Sequence, residues 1–250
     1  MMSPVTVARR PVTRHPSPIL TMTQAFNPSE FPIEVDARTS VSGLLIRPSN
    51  PRACLVFAHG AGAGMRHASM ATVAEELGAL GVATLRYQFP YMEKGSKRPD
   101  APSVCHATVR AAVAEARKQL PGIALIAGGR SFGGRMTSQA QALASLPEVR
   151  GLAFFAFPLH PAKKPAAERA EHLLDIRIPM LFLQGTRDEL ASLDLLQALI
   201  KQLGPIATLH LAQDADHSFH VPAKTGRKDA HVRHELLEAF VAWLAAIGID

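Results

Sequence analysis

From Phe31 onward the chain alternates between two hydrophobic rhythms. Short apolar runs, Ala53 to Ala58, Val82 to Tyr87, Ile123 to Ala127, Gly151 to Phe157, Met180 to Gln184 and Ala207 to Leu211, are separated by segments with apolar residues three and four apart. A short continuous apolar run suits a strand buried on both faces, whereas the longer spacing suits a helix with one buried side. Met70, Val73, Ala74, Leu77 and Leu80 mark the first such helix, and Val109, Val113, Ala116 and Leu120 the second. Leu193 to Leu203 forms a later one, and Leu236, Leu237, Phe240, Val241 and Leu244 the last. Gly81 and Pro121-Gly122 stop the first two. This alternation predicts an α/β protein with a mostly parallel, doubly wound sheet and helices on both faces.

Pro32 to Ala37 and Val41 to Arg47 lie close enough to form a hairpin at one sheet edge. Gln88 to Pro102 reads as a polar loop. Between Phe157 and Ile178 there is room only for a short helix around Glu168 to Leu174, so any cap over the sheet is minimal. Residues 1–28 carry Arg9, Arg10, Arg14 and scattered prolines without either rhythm, and are expected to be a disordered arm ahead of one domain over 29–250. Met22 is an alternative start, and a basic targeting segment is the other reading of this stretch.

Composition narrows the partners. A chain of 250 residues with 47% hydrophobic residues can bury one substantial core. Its formal charge of +6 includes Arg9, Arg10, Arg14 and Arg38, all ahead of that core, and aromatic residues make up only 6%. No basic stretch is interleaved with aromatics, so no nucleic-acid partner is expected. Cys54 and Cys105 are too few for a disulfide framework and suit a reducing compartment. No apolar run approaches the roughly 20 residues needed to span a bilayer, so no membrane partner and a cytoplasmic location are expected.

The pattern that carries chemistry is Gly129-Arg130-Ser131-Phe132-Gly133, a G-x-S-x-G sequence between an apolar strand and an Ala-rich helix. A serine on a strained strand-to-helix turn needs small neighbours two residues away on either side, which Gly129 and Gly133 supply. The hydroxyl becomes nucleophilic only when a base takes its proton and a carboxylate orients that base. In this setting the order along the chain is serine, acid, histidine. Asp188 follows the strand ending at Gln184, with Glu189 as the neighbouring alternative. His217 follows the strand ending at Leu211, with His220 as the alternative. Oxyanion donors are expected from the backbone N–H of Phe132 and of Ala61, the latter in the glycine-rich His59 to Gly64 loop. His59 braces that loop. Arg130 is read either as a substrate-anion contact, forming a basic margin with Arg135, Lys163 and Lys164, or as half of a salt bridge. A metal cluster of His217, His220, His231 and His234 lacks the accompanying Cys pairs or His-Glu-x-x-His pattern, and no metal or cofactor is expected.

His59 to Met65 (HGAGAGM), Arg86 to Tyr91 (RYQFPY), Gly128 to Met136 (GGRSFGGRM) and Phe157 to His160 (FPLH) together resemble α/β-hydrolases of the dienelactone-hydrolase-like kind. The same motifs are similar to a group that includes a eukaryotic chromatin-complex subunit. The resemblance covers Phe31 to the C-terminus. It implies the α/β-hydrolase fold and the triad Ser131, Asp188 and His217; Arg130 and His160 are expected on the substrate side. Dienelactone hydrolases proper carry cysteine as nucleophile, so Ser131 is a departure. The activity implied is cleavage of a small-molecule carboxylic ester or thioester through an acyl-serine. The alternatives are a scaffold or binding protein that keeps the fold, and acyl transfer with the same triad.

Overall fold

A computed structural model describes residues 26–250. The arm expected over residues 1–28 lies outside the described residues as far as residue 25. In chain order the elements are β1 (Ser29–Asp36), β2 (Thr39–Ile46), β3 (Ala53–Ala58), α1 (Ala68–Ala79), β4 (Val82–Tyr87), α2 (Pro90–Glu93), α3 (Pro102–Gln119) and β5 (Ala124–Arg130). They continue with α4 (Phe132–Leu143), β6 (Val149–Phe155), a 3₁₀ segment (Glu168–Asp175), β7 (Met180–Gly185), α5 (Leu193–Leu203), β8 (Ala207–Ala212) and α6 (Asp229–Ala246). The ring of Phe26 lies over α1 at Gly78, where a Cβ would come within 2.8 Å of it.

The eight strands form one sheet in the order β1-β2-β4-β3-β5-β6-β7-β8. β1 and β2 pair antiparallel, as do β2 and β4, and every pairing from β4 across to β8 is parallel. Side chains alternate across β3: Cys54, Val56 and Ala58 join the core under α3, α4 and α5, while Ala53, Leu55 and Phe57 join the core under α1 and α6. This two-sided burial is why β3 reads as an unbroken apolar run, and β4 and β7 as mostly apolar ones that are buried at every position. Fully burying a side chain such as Phe57 or Phe240 contributes about 2–3 kcal/mol.

The chain leaves β3 for β4 on one side and later returns to β5 on the other. The loops following β3 and β5 therefore part in opposite directions and open a crevice at the carboxyl ends of the strands, the usual place for a ligand in such sheets.

Three local features differ from the sequence pattern, the first two of them at that crevice. The stretch expected as a polar loop contains α2, with Pro90 in its first turn and Phe89 and Tyr91 buried beside His59 and Phe132. β5 continues through Gly128 and Gly129 to Arg130, because glycine here is needed for close approach rather than for a break. β1 begins at Ser29 and includes Pro32, which an edge strand tolerates because its N–H face need not pair. Among the described residues no helix is long and apolar enough to cross a membrane.

Candidate active site

Ser131 occupies the N-cap of α4 with φ 49° and ψ −117°, a left-handed conformation that costs a non-glycine residue on the order of 1–3 kcal/mol. Its N–H donates to the Phe155 carbonyl at 2.9 Å, tying the turn to β6. The turn is tight against β3. A Cβ on Gly129 would lie 2.7 Å from the Ala58 carbonyl oxygen, and one on Gly133 would lie 2.6 Å from the same atom. The Thr137 hydroxyl donates to the Gly133 carbonyl at 2.8 Å and holds the first turn of α4 from inside.

Across the crevice, His217 Nε2 lies 2.8 Å from Ser131 Oγ, and His217 Nδ1 lies 2.7 Å from Asp188 Oδ2. A carboxylate only accepts, so Nδ1 carries the proton toward Asp188 and Nε2 is left to accept from the serine hydroxyl. The Asp188 side chain is fully buried. It is also held by the Leu190 N–H, which donates to Oδ1 at 2.8 Å, and by the Gln184 amide, which donates to Oδ2. Gln184 Oε1 in turn accepts the Phe157 N–H at 2.9 Å, linking the end of β7 to the chain leaving β6. Sequence reasoning missed Gln184. The available signal was its place as the lone polar residue of an otherwise apolar buried strand.

The loop carrying His217 is fixed from several directions. Asp216 Oδ1 accepts the N–H groups of Ser218 at 2.7 Å and His220 at 3.0 Å, and the Asp214 N–H donates to Thr186 Oγ1 at 2.9 Å. Arg130 Nη2 donates to the His217 carbonyl at 3.1 Å, and its guanidinium lies over the Phe219 ring, 5.6 Å from the centroid. His220 faces away and pairs with Asp229 at 2.9 Å; Glu189 is exposed. Of the two candidate histidines it is therefore His217 that meets Ser131.

The N–H groups of Ala61 and Phe132 have no protein acceptor among the described residues, and Ala61 and Ser131 line one groove of about 420 Å³. The Ala61 carbonyl is occupied by the Tyr91 hydroxyl at 3.0 Å, which fixes the orientation of that peptide. His59 is fully buried at the base of this loop. Its Nδ1–H donates to the Gly60 carbonyl at 2.7 Å and its Nε2 accepts the Phe89 N–H at 3.0 Å. Burial pushes its pKa down to about 4, against a smaller opposing effect of the Gly60 carbonyl and Glu93. The ring is thus a neutral brace between the β3 and β4 loops.

Two substrate-side expectations are corrected. His160 does not face the crevice. It is 2% exposed, its Nδ1 meets the Pro161 carbonyl at 2.9 Å, and its Nε2 accepts the Ser192 N–H at 2.9 Å, so it joins the loop after β6 to the loop that carries Asp188. The salt bridge considered for Arg130 does not form among the described residues. The basic margin does not assemble around it either: Arg135 packs over Phe132, and Lys163 and Lys164 are exposed. Among the described residues no three His, Cys, Asp or Glu side chains group so as to hold a metal ion; His231 caps α6 and His234 pairs with Glu238.

A second serine–histidine contact, Ser138 Oγ to His172 Nε2 at 2.8 Å, is of another kind. No carboxylate pairs with His172 among the described residues, and burial, reinforced by Arg135, pushes its pKa down to about 4. Ser138 also donates to the Arg135 carbonyl within α4. This is a packing contact between α4 and the 3₁₀ segment.

Residues 51–245 match the sequence profile of a family described as an alpha/beta hydrolase domain. Among solved structures, an alpha-beta serine hydrolase homologue from Coxiella burnetii superposes with a TM-score of 0.69 at 21% identity, covering 84% of this chain and 96% of that one. A dienelactone hydrolase from Anabaena variabilis gives 0.68 at 20% identity, with 86% and 98% covered. A lidless serine hydrolase from Xanthomonas campestris gives 0.68 at 20% identity, with 86% and 94% covered.

Proposed function

Because the chain belongs to the alpha/beta hydrolase domain family, we propose that it is a serine hydrolase that cleaves a small carboxylic ester or thioester through an acyl-Ser131 intermediate. The observation that carries this reading is the unbroken relay from Ser131 Oγ to His217 at 2.8 Å and on to Asp188 at 2.7 Å. His217 Nε2 takes the Ser131 proton as Oγ bonds to the substrate carbonyl carbon, and Asp188 stabilises the imidazolium that forms. The carbonyl oxygen, now negative, is met by the Phe132 N–H at the N-terminus of α4 and by the Ala61 N–H of the loop after β3. His217 then gives its proton to the departing alcohol or thiol. In the second half water loses a proton to His217, its oxygen attacks the acyl carbon, and Ser131 Oγ leaves and recovers that proton. None of these steps calls on a cofactor.

Labelling with a fluorophosphonate tests the assignment. The native protein is expected to form one phosphonyl adduct on Ser131 and to hydrolyse a small activated ester, and Ser131→Ala to do neither. An unlabelled native protein, or ester turnover that survives Ser131→Ala, would overturn it. Asp188→Asn is expected to lower kcat by about 10³- to 10⁴-fold, because the wrong imidazole tautomer would face the serine.

A further inference from the structure

The groove at Ser131 does not end at the triad. It continues past Ser69, Met70, Arg130 and Ser218 into a narrower pocket of about 70 Å³ between α1 and α6, walled by Phe57, Val73, Phe155, Leu236 and Leu237. Arg130 stands at the junction of the two cavities. Among its guanidinium donors, only Nη2 is engaged by the protein among the described residues, in the bond to the His217 carbonyl.

The other ionisable groups around it already have hydrogen-bond partners in the protein. Asp229 and Arg233, which also face the narrow pocket, are paired with His220 at 2.9 Å and with Glu76 at 2.8 Å. Asp188 is taken up by His217, Leu190 and Gln184, and Asp216 by the backbone of its own loop. No carboxylate lines the groove itself, and α1 and α4, each of 12 residues, both start at its wall with no acidic side chain in the first turn. A guanidinium largely out of water, with unused donors and opening on a groove that no carboxylate lines, can take an anionic ligand. Burial disfavours its charged form, which nearby Asp188 and Asp216 only partly offset.

We infer that Arg130 selects substrates by charge: the ester this protein prefers carries an anionic group, a carboxylate or similar oxyanion, that hydrogen-bonds to the free edge of the Arg130 guanidinium while the scissile carbonyl sits at Ser131. The inference rests on the hydrolase reading and assigns its substrate class. A small apolar portion of the same molecule fills the pocket beyond.

The test compares kcat/KM for two matched pairs at low ionic strength. One pair, 4-acetoxybenzoate and its methyl ester, carries the charge on the leaving side; the other, monoethyl glutarate and ethyl pentanoate, carries it on the acyl side. The native protein is expected to favour the anionic member of at least one pair, and the pair that responds tells which side of the ester faces Arg130. Arg130→Gln should lower that preference by about tenfold or more, and Arg130→Lys by less. Added salt should narrow the preference of the native protein. Because Arg130 also holds the His217 loop, any general loss of activity falls on both members of a pair and cancels in the ratio. Should Arg130→Gln fail to fold, the lysine variant and the salt dependence still decide. No anionic preference in either pair, or a preference that survives Arg130→Gln, overturns the inference and leaves hydrolysis at Ser131 intact. Loss of both ester turnover and the Ser131 adduct would remove the hydrolase reading, and this inference with it.

Discussion

The buried amide of Gln184 does work that the three residues of the relay cannot do for themselves. Asp188 must present one oxygen to His217 and must not rotate, and Gln184 and the Leu190 N–H clamp it from opposite ends. Gln184→Leu removes one donor from the carboxylate and leaves the Phe157 N–H without its acceptor. The expected outcome is a loss of about 1–3 kcal/mol in urea unfolding and a fall of about tenfold or more in kcat. A purely structural glutamine would lower stability without lowering kcat. Ser131, Asp188 and His217 were legible because nucleophilic chemistry fixes residue types and their order along the chain. Gln184 was not, since a glutamine at a strand end reads as the point where the apolar run meets solvent. His160 was misread for a related reason: a motif preserves a position without saying whether its side chain faces ligand or loop.

At the level of elements, the crevice depends on two loops that the sheet alone does not hold together. His59 closes the gap between the loop after β3 and the loop after β4 by one donated and one accepted hydrogen bond, which only the neutral ring provides. A second proton would put an N–H against the Phe89 N–H in a fully buried place. With an ordinary histidine value of 6.5 in the unfolded chain and about 4 in the fold, the unfolded state binds more protons between those values. The contribution of His59 to stability is therefore complete above pH 6.5 and falls away as pH drops toward 4, by about 3 kcal/mol in all. Chemical unfolding of the native protein and His59→Gln over pH 4–7 is expected to show the difference between them shrinking as the solution is acidified; a constant difference would refute the brace. The strands and long helices of this region were legible from periodicity. α2 was not, because one turn has no period to read, and it forms through the burial of Phe89 and Tyr91 against His59 and Phe132 rather than through helix propensity. The glycines that extend β5 misled in the opposite sense, since a side chain at Gly129 would strike the Ala58 carbonyl.

At the scale of the molecule, the connection from β6 to β7 holds only irregular chain and one 3₁₀ segment, so among the described residues nothing comparable to a domain closes over Ser131. Among the described residues the groove at Ser131 narrows into a pocket of about 70 Å³, the space open to a small apolar group of the proposed substrate. Each methylene that enters it gains about 0.8 kcal/mol, and those beyond it gain almost nothing. With p-nitrophenyl esters, kcat/KM is expected to rise from acetate to butyrate and then to stay level or fall toward decanoate; a continued climb would mean that a larger apolar surface lies over the groove. Fold class, strand direction and the minimal cap were legible from the alternation of rhythms, whereas the order β2-β4-β3-β5 was not, because periodicity carries no information about which strands become neighbours. That order has a historical consequence. Ala61, Ser131, Asp188 and His217 each follow a different strand, β3, β5, β7 and β8, so what descent must preserve is the alignment of strand ends and not the text between them. Four residues in five differ between this chain and the solved structures it superposes on, and the fold that aligns those strand ends is still the same.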